Sequence, residues 1–139
     1  MDTKIFIKIS LIIWLLICAW EDLKKGEVSN WLTIPPLVFA AFLVVYTRDN
    51  LVMFFSTLAI LVLFYYLNAF GGADVKILLA LVGLWPVGFW GALIVQGIWG
   101  SILILRKGKK AEFRAVPSFA IGALLVFVIM IFFNARIHL

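Results

Sequence analysis

Long apolar runs alternate with short polar breaks along the whole chain. The first run extends from Ile5 to Trp20 and stops at Glu21, Asp22, Lys24, Lys25 and Gly26; a second goes from about Trp31 to Tyr46 and ends at Arg48-Asp49-Asn50. The third, Leu51 to Phe70, is 20 residues long, the length that crosses about 30 Å of hydrocarbon at about 1.5 Å per residue. It closes on Gly71-Gly72-Ala73-Asp74. From Val75 to Leu105 there are 31 residues with one charge, Lys76, and a break at Pro86-Val87-Gly88. That stretch is too long for one span and predicts a short helix to about Trp85, a tight turn and a full helix. A last run, Pro117 to Asn134, follows the polar stretch Arg106 to Arg114. The pattern predicts an all-α polytopic membrane protein with about six transmembrane helices, the fourth short. Residues 1–139 then form one integral-membrane domain, whose function has to be built from helix ends and short connections.

Composition points the same way. The chain is 65% apolar and 14% charged, with a mean hydropathy of +1.16, against about 45–50% and about 25% in soluble domains. A single cysteine, Cys18, excludes a disulfide scaffold. A cleaved signal peptide fits the first segment poorly, because Lys8 interrupts the apolar stretch and no small-residue cleavage site precedes the charged turn. The first segment is therefore read as a retained helix.

The net charge of +5 is explained by topology. The turns after helices one, three and five carry Lys24, Lys25, Lys76, Arg106, Lys107, Lys109, Lys110 and Arg114, eight in all, against four (Lys4, Lys8, Arg48 and Arg136) on the other side. The richer side is expected to face the cytoplasm, with both termini on the non-cytoplasmic side. The basic run 106–114 then needs no nucleic-acid partner.

Seven acidic residues remain to be explained. Asp2, Asp49 and Glu112 read as solvated loop residues, and so do Glu21 and Glu27 unless they attract a basic ligand. Asp22 and Asp74 fall after helices one and three, on the same predicted face. A helix from Val75 to Trp85 rises only about 17 Å, so with Trp85 and Trp90 in an outer aromatic belt its near end lies recessed below the cytoplasmic surface. An ionisable residue at such depth is a functional-site candidate. Asp74 is equally readable as the N-cap of helix four. Two carboxyls on one face share a proton over a wide pH range, and such a pair hydrolyses a peptide without metal or nucleophilic side chain. Other chemistry is scarce: His138 is in the terminal tail, Cys18 lies in an apolar helix, and no His/Cys cluster suits a metal. No cofactor is called for.

Two motifs sharpen this. The segment Asp22-Leu-Lys-Lys-Gly-Glu-Val-Ser-Asn-Trp-Leu-Thr33 resembles the aspartate loop of type IV prepilin and preflagellin peptidases, the GxGD-type intramembrane aspartic proteases, and Gly71-Gly-Ala-Asp-Val-Lys-Ile-Leu78 is similar to their second aspartate motif. Val116-Pro-Ser-Phe-Ala-Ile-Gly122 resembles the opening of their last helix. The resemblance implies catalytic roles for Asp22 and Asp74, and supporting roles for Asn30, Gly71, Gly72, Ala73, Lys76, Pro117 and Gly122. It also implies a single integral-membrane peptidase domain in the cytoplasmic (inner) membrane. That domain would cut a basic leader from pilin-like or archaellin-like precursors at the cytoplasmic face, with membrane lipid as its other partner. Ala73 and Ser29 depart from the family pattern, which has Gly and Pro there. The chain resembles the short form without the cysteines and length of a methyltransferase region. Lys76 is open to three readings: tuning the aspartates, binding lipid phosphate, or snorkelling to the interface. The rival reading of the chain is a noncatalytic multipass assembly subunit or small carrier. A carrier is expected to show repeated halves or more polar residues within its spans.

Pro35-Pro36 is expected in the first turn of a helix starting at Thr33, or else at a kink. Gly97 and Ser101, with Gly91 and Gly100 nearby, are expected at a close helix crossing.

Overall fold

The computed structural model describes residues 3–107 and 115–137. Among them the chain is all-helical: α1 (Thr3–Lys25), α2 (Asn30–Thr47), α3 (Leu51–Tyr66), α4 (Gly72–Leu84), α5 (Pro86–Lys107) and α6 (Ala115–Ile137). The terminal Asp2 and His138 and the loop residues Lys109, Lys110, Glu112 and Arg114 lie outside the described residues. The helix α4 is the hub, packing on α2, α3 and α5; α5 packs in turn on α6, and α6 on α1. All six residues from Ile77 to Val82 are buried, so α4 is apolar all round because neighbours enclose it all round. The other helices turn Ile13, Leu16, Ile17, Phe42, Val52 and Phe132 outward, a surface that only lipid solvates well. The protein is a membrane protein. On length and composition Asn30–Thr47, Pro86–Arg106 and Ala115–Phe133 are able to cross a bilayer, and α3 is apolar but shorter.

Several helix limits differ from the hydropathy pattern, each for a local reason. The helix α3 ends at Tyr66 rather than Phe70, because Asn68 takes a left-handed conformation (φ 55°). Its N–H donates to Tyr65 O (3.0 Å) and that of Ala69 to Phe64 O (2.9 Å). These two bonds form a Schellman stop, and the rings of Phe64 and Phe70 close over it edge to face. At the next junction Trp85 alone separates α4 from α5, which begins directly at Pro86, the position where a missing N–H costs nothing. The expected turn at Pro86-Val87-Gly88 is therefore already helix. Trp85 is buried, its ring edge on to Phe127, so of the two tryptophans expected in an interfacial belt only Trp90 is exposed. Gly88 makes room for it, since a Cβ there would stand 2.6 Å from the Trp85 ring.

In α2 the two prolines lie inside the helix rather than in its first turn, because the helix starts at Asn30. Pro36 leaves the Leu32 carbonyl without its usual donor. The Trp14 indole N–H donates to that carbonyl at 2.8 Å, so the defect in α2 becomes a tie to α1.

The close crossing of α5 on α6 is made by Gly91 and Gly122, not by Gly97 and Ser101. A Cβ on Gly91 would stand 2.8 Å from the Gly122 carbonyl oxygen, whereas one on Gly97 meets nothing within 4 Å. The Ser101 hydroxyl is turned back on its own helix, donating to Gly97 O at 2.7 Å. Gly122→Val should drive α5 and α6 apart and cost about 1–3 kcal/mol. Gly97→Ala should leave stability unchanged or raise it by up to about 1 kcal/mol, both read from unfolding of the detergent-solubilised protein.

Candidate active site

Asp22 is the last residue of a buried stripe. Leu11, Leu15, Cys18 and Asp22 recur at steps of four, three and four and are all buried, so α1 presents its carboxylate on the face that otherwise holds core residues. The helix runs past Asp22 to Lys25, so Asp22 lies within α1 rather than in the turn after it. Gly26 then stops α1 with φ 77°, its N–H donating to Asp22 O at 2.9 Å.

The return to α2 is held by Glu21. One carboxylate oxygen accepts both the N–H and the hydroxyl of Ser29 (3.0 Å each), and the other accepts from Lys25 Nζ at 2.7 Å. The Lys25 ammonium and the Ser29 donors hold the Glu21 carboxyl below its ordinary pKa of 4.5. Glu21 is thus a clamp on the turn beside Asp22, not a solvated loop residue.

Asp74 arrives from the other side of the bundle. The helix α4 begins at Gly72, with Gly71 as N-cap, so Gly72 and Ala73 are helical and Asp74 is the third residue of the helix. Asp74 is therefore not the N-cap; its Oδ2 reaches back to accept the Gly71 N–H at 3.1 Å. This is half of a capping box, the half open to a glycine cap. Glycine suits the position, since a Cβ there would stand 3.2 Å from that oxygen.

Lys76 joins the two halves. Its ammonium donates to Asn30 Oδ1, tying the first turn of α4 to the first residue of α2.

Between these elements lies a cavity of about 530 Å³ walled by Asp22, the turn 26–30, Gly71 to Asp74, Lys76, Ala115 and Val116. Seven predicted site residues thus share one cavity: Asp22, Asn30, Gly71, Gly72, Ala73, Asp74 and Lys76. The two carboxylates are near enough for the charge of Asp22 to be felt at Asp74. No group of three His, Cys, Asp or Glu side chains able to hold a metal occurs among the described residues. Pro117 stands in the first turn of α6, outside the cavity wall, and Gly122 belongs to the α5 crossing. Sequence reasoning missed the Glu21–Ser29 clamp and the contribution of Ala115 and Val116. The eight-residue reach from Glu21 back to Ser29 across a glycine turn has no periodic signature.

The arrangement is that of two acids facing one water-accessible space at one end of a helix bundle. The family model of the type IV leader peptidases matches residues 9–106, a stretch that holds both carboxylates and the whole cavity wall except its α6 edge. The chain belongs to the type IV leader peptidase family. No curated protein and no solved structure matches it significantly. A leader peptidase is a protease, so the noncatalytic assembly subunit or carrier is set aside.

Two tests of this peptidase's site architecture follow from the geometry. A carboxyl whose folded-state pKa is depressed adds stability above 4.5 and loses it as pH falls through the lowered value. Exchange of the Ser29 amide, corrected for its intrinsic pH dependence, should therefore be slow at neutral pH and speed up below 4.5. In Glu21→Ala it should be fast throughout. For the second link, Lys76→Met and Asn30→Ala should each lower stability by up to about 1 kcal/mol. Their double variant should lose no more than either alone, as read by a double-mutant cycle.

Proposed function

We propose that this leader peptidase is an aspartic endopeptidase in which Asp22 and Asp74 act as one dyad. Its substrate would be a pilin-like or archaellin-like precursor, cut between a basic leader and an apolar helix. The observation that carries the reading is the cavity shared by the two carboxylates and backed by the α4 helix. Two carboxyls facing one cavity repel each other when both are ionised, so in this reading the pair holds one proton near neutral pH. The ionised member takes a proton from water as the oxygen attacks the scissile carbonyl. The protonated member donates to the carbonyl oxygen, and collapse of the tetrahedral intermediate passes a proton to the leaving amine. The charges return to their starting arrangement once the products leave.

Charge placement supports cleavage at the cytoplasmic face of the inner membrane. Lys24, Lys25, Lys76 and Arg106 gather at the site's end of the bundle, while Lys4, Lys8 and Arg48 lie at the other, and the lysine-rich end is expected inside. Glu27 on the cavity wall offers a basic leader its counter-charge.

The test is processing of a precursor with a Lys- and Arg-rich leader, coexpressed with wild type, Asp22→Asn or Asp74→Asn. Each Asn variant should lower the rate by at least about 10²–10⁴-fold while leaving the protein at its normal level in the membrane. Wild-type processing by either variant ends the dyad assignment.

A further inference from the structure

The helix α5 buries one polar side chain in its middle, and the proposed hydrolysis does not use it. Gln96 is 9% exposed, and its Oε1 is buried with no hydrogen-bond partner among the described residues. An amide oxygen left unpaired in a protein interior costs stability that an apolar residue at the same place would not. Gln96 lines a second cavity, of about 430 Å³, together with Tyr65, Asn68, Phe70, Gly71, Asp74 and Ala115.

The two cavities share Gly71, Asp74 and Ala115. One continues to the α1–α2 turn with Asp22 and Glu27, the other to the end of α3 and to Gln96. A chain passing Asp74 would occupy both. A peptide bond can be attacked only where the substrate is extended, and an extended backbone presents N–H and C=O groups that its own helix no longer satisfies. A glutamine amide carries an acceptor and a donor in one plane and can pair with both groups of such a backbone. Charge sets the direction. The arm with Asp22 and Glu27 suits a basic leader, which leaves the uncharged arm beyond Asp74 for the residues after the cut.

We propose that Gln96 binds the backbone of the first residues following the cut, holding them extended beside Asp74. This rests on the peptidase reading and adds to it a substrate-binding residue outside both aspartate motifs. With its amide turned into the cavity, the carboxamide accepts a substrate N–H at Oε1 and donates from Nε2 to a substrate carbonyl, so recognition is of main chain and tolerates varied side chains.

The test uses the full-length protein in lipid vesicles and a synthetic precursor with a Lys- and Arg-rich leader and an apolar helix. Each of the four amide N–H groups that follow the scissile amide is replaced in turn by an ester oxygen. With wild type, one ester should raise KM about tenfold, equivalent to about 1.4 kcal/mol, with little change in kcat. Gln96→Met, similar in length but without polar atoms, should show the same rise on the all-amide precursor and no further rise with that ester. Gln96→Asn, which keeps the amide on a shorter stem, should fall between. Equal sensitivity to the ester in wild type and Gln96→Met overturns the assignment, and so does insensitivity of wild type at all four positions. Failure of wild type to cut any precursor is a different result: it removes the peptidase reading and this inference with it.

Discussion

The shortness of α4 and the polar character of its first turn govern the rest of the structure. An apolar helix enclosed on every side can be held anywhere along its axis by hydrophobic contact alone, since such contact has no direction. What fixes α4 lengthwise are its ends: Lys76 gripping Asn30 of α2 at one, and the single-residue link through Trp85 at the other. The carboxylate that defines the site closes the helix's own first turn on Gly71, and the depth of the site follows from where that end is anchored.

The second carboxylate reaches the same place by a different route. Asp22 lies on the core-facing stripe of α1, behind Leu11, Leu15 and Cys18, and it escapes an apolar environment only because the helix ends one turn later. The Glu21 clamp fixes that ending. A carboxylate already engaged by Lys25 and both donors of Ser29 stays ionised where the proposed pair must hold a single proton. The neighbouring acids, adjacent in sequence, are kept electrostatically distinct by pointing them to opposite tasks.

Much of this could be read in the sequence, for reasons that also explain what could not. Hydropathy runs carry the number, order and type of helices, because burial in lipid acts on every residue of a span. They say little about ends, which depend on single residues: Asn68 stops α3 within an apolar run, and Pro86 opens α5 where a break was expected. The two aspartates were legible as a pair from the side of the membrane their breaks share. The burial of Asp22 is a different matter: the charged break reads as the end of the first helix, whereas α1 continues to Lys25 and keeps Asp22 on its core-facing stripe. Gly97 was misread because small residues mark the possibility of a close crossing, while the face that is used depends on the partner, here Gly122 on α6. Gln96 carries no signal of its own in the sequence, since nothing local to α5 reveals the cavity it lines.

A membrane bundle that hydrolyses peptides has to reconcile water at the reacting bond with a surface made for lipid. Here the two cavities that meet at Asp74 lie at one end of the bundle, while Trp85 packs edge-on to Phe127 and Phe89 to Trp90 toward the other. On the proposed reading an apolar substrate helix has to unwind at its first residues before the bond reaches the cavities. Unwinding exposes main-chain groups that lipid cannot satisfy. Partners for those groups in the wall of the site therefore lower the cost of the extended state on which the proposed cleavage depends. A bundle with the two acids alone would have the chemistry and no means of presenting the bond to it.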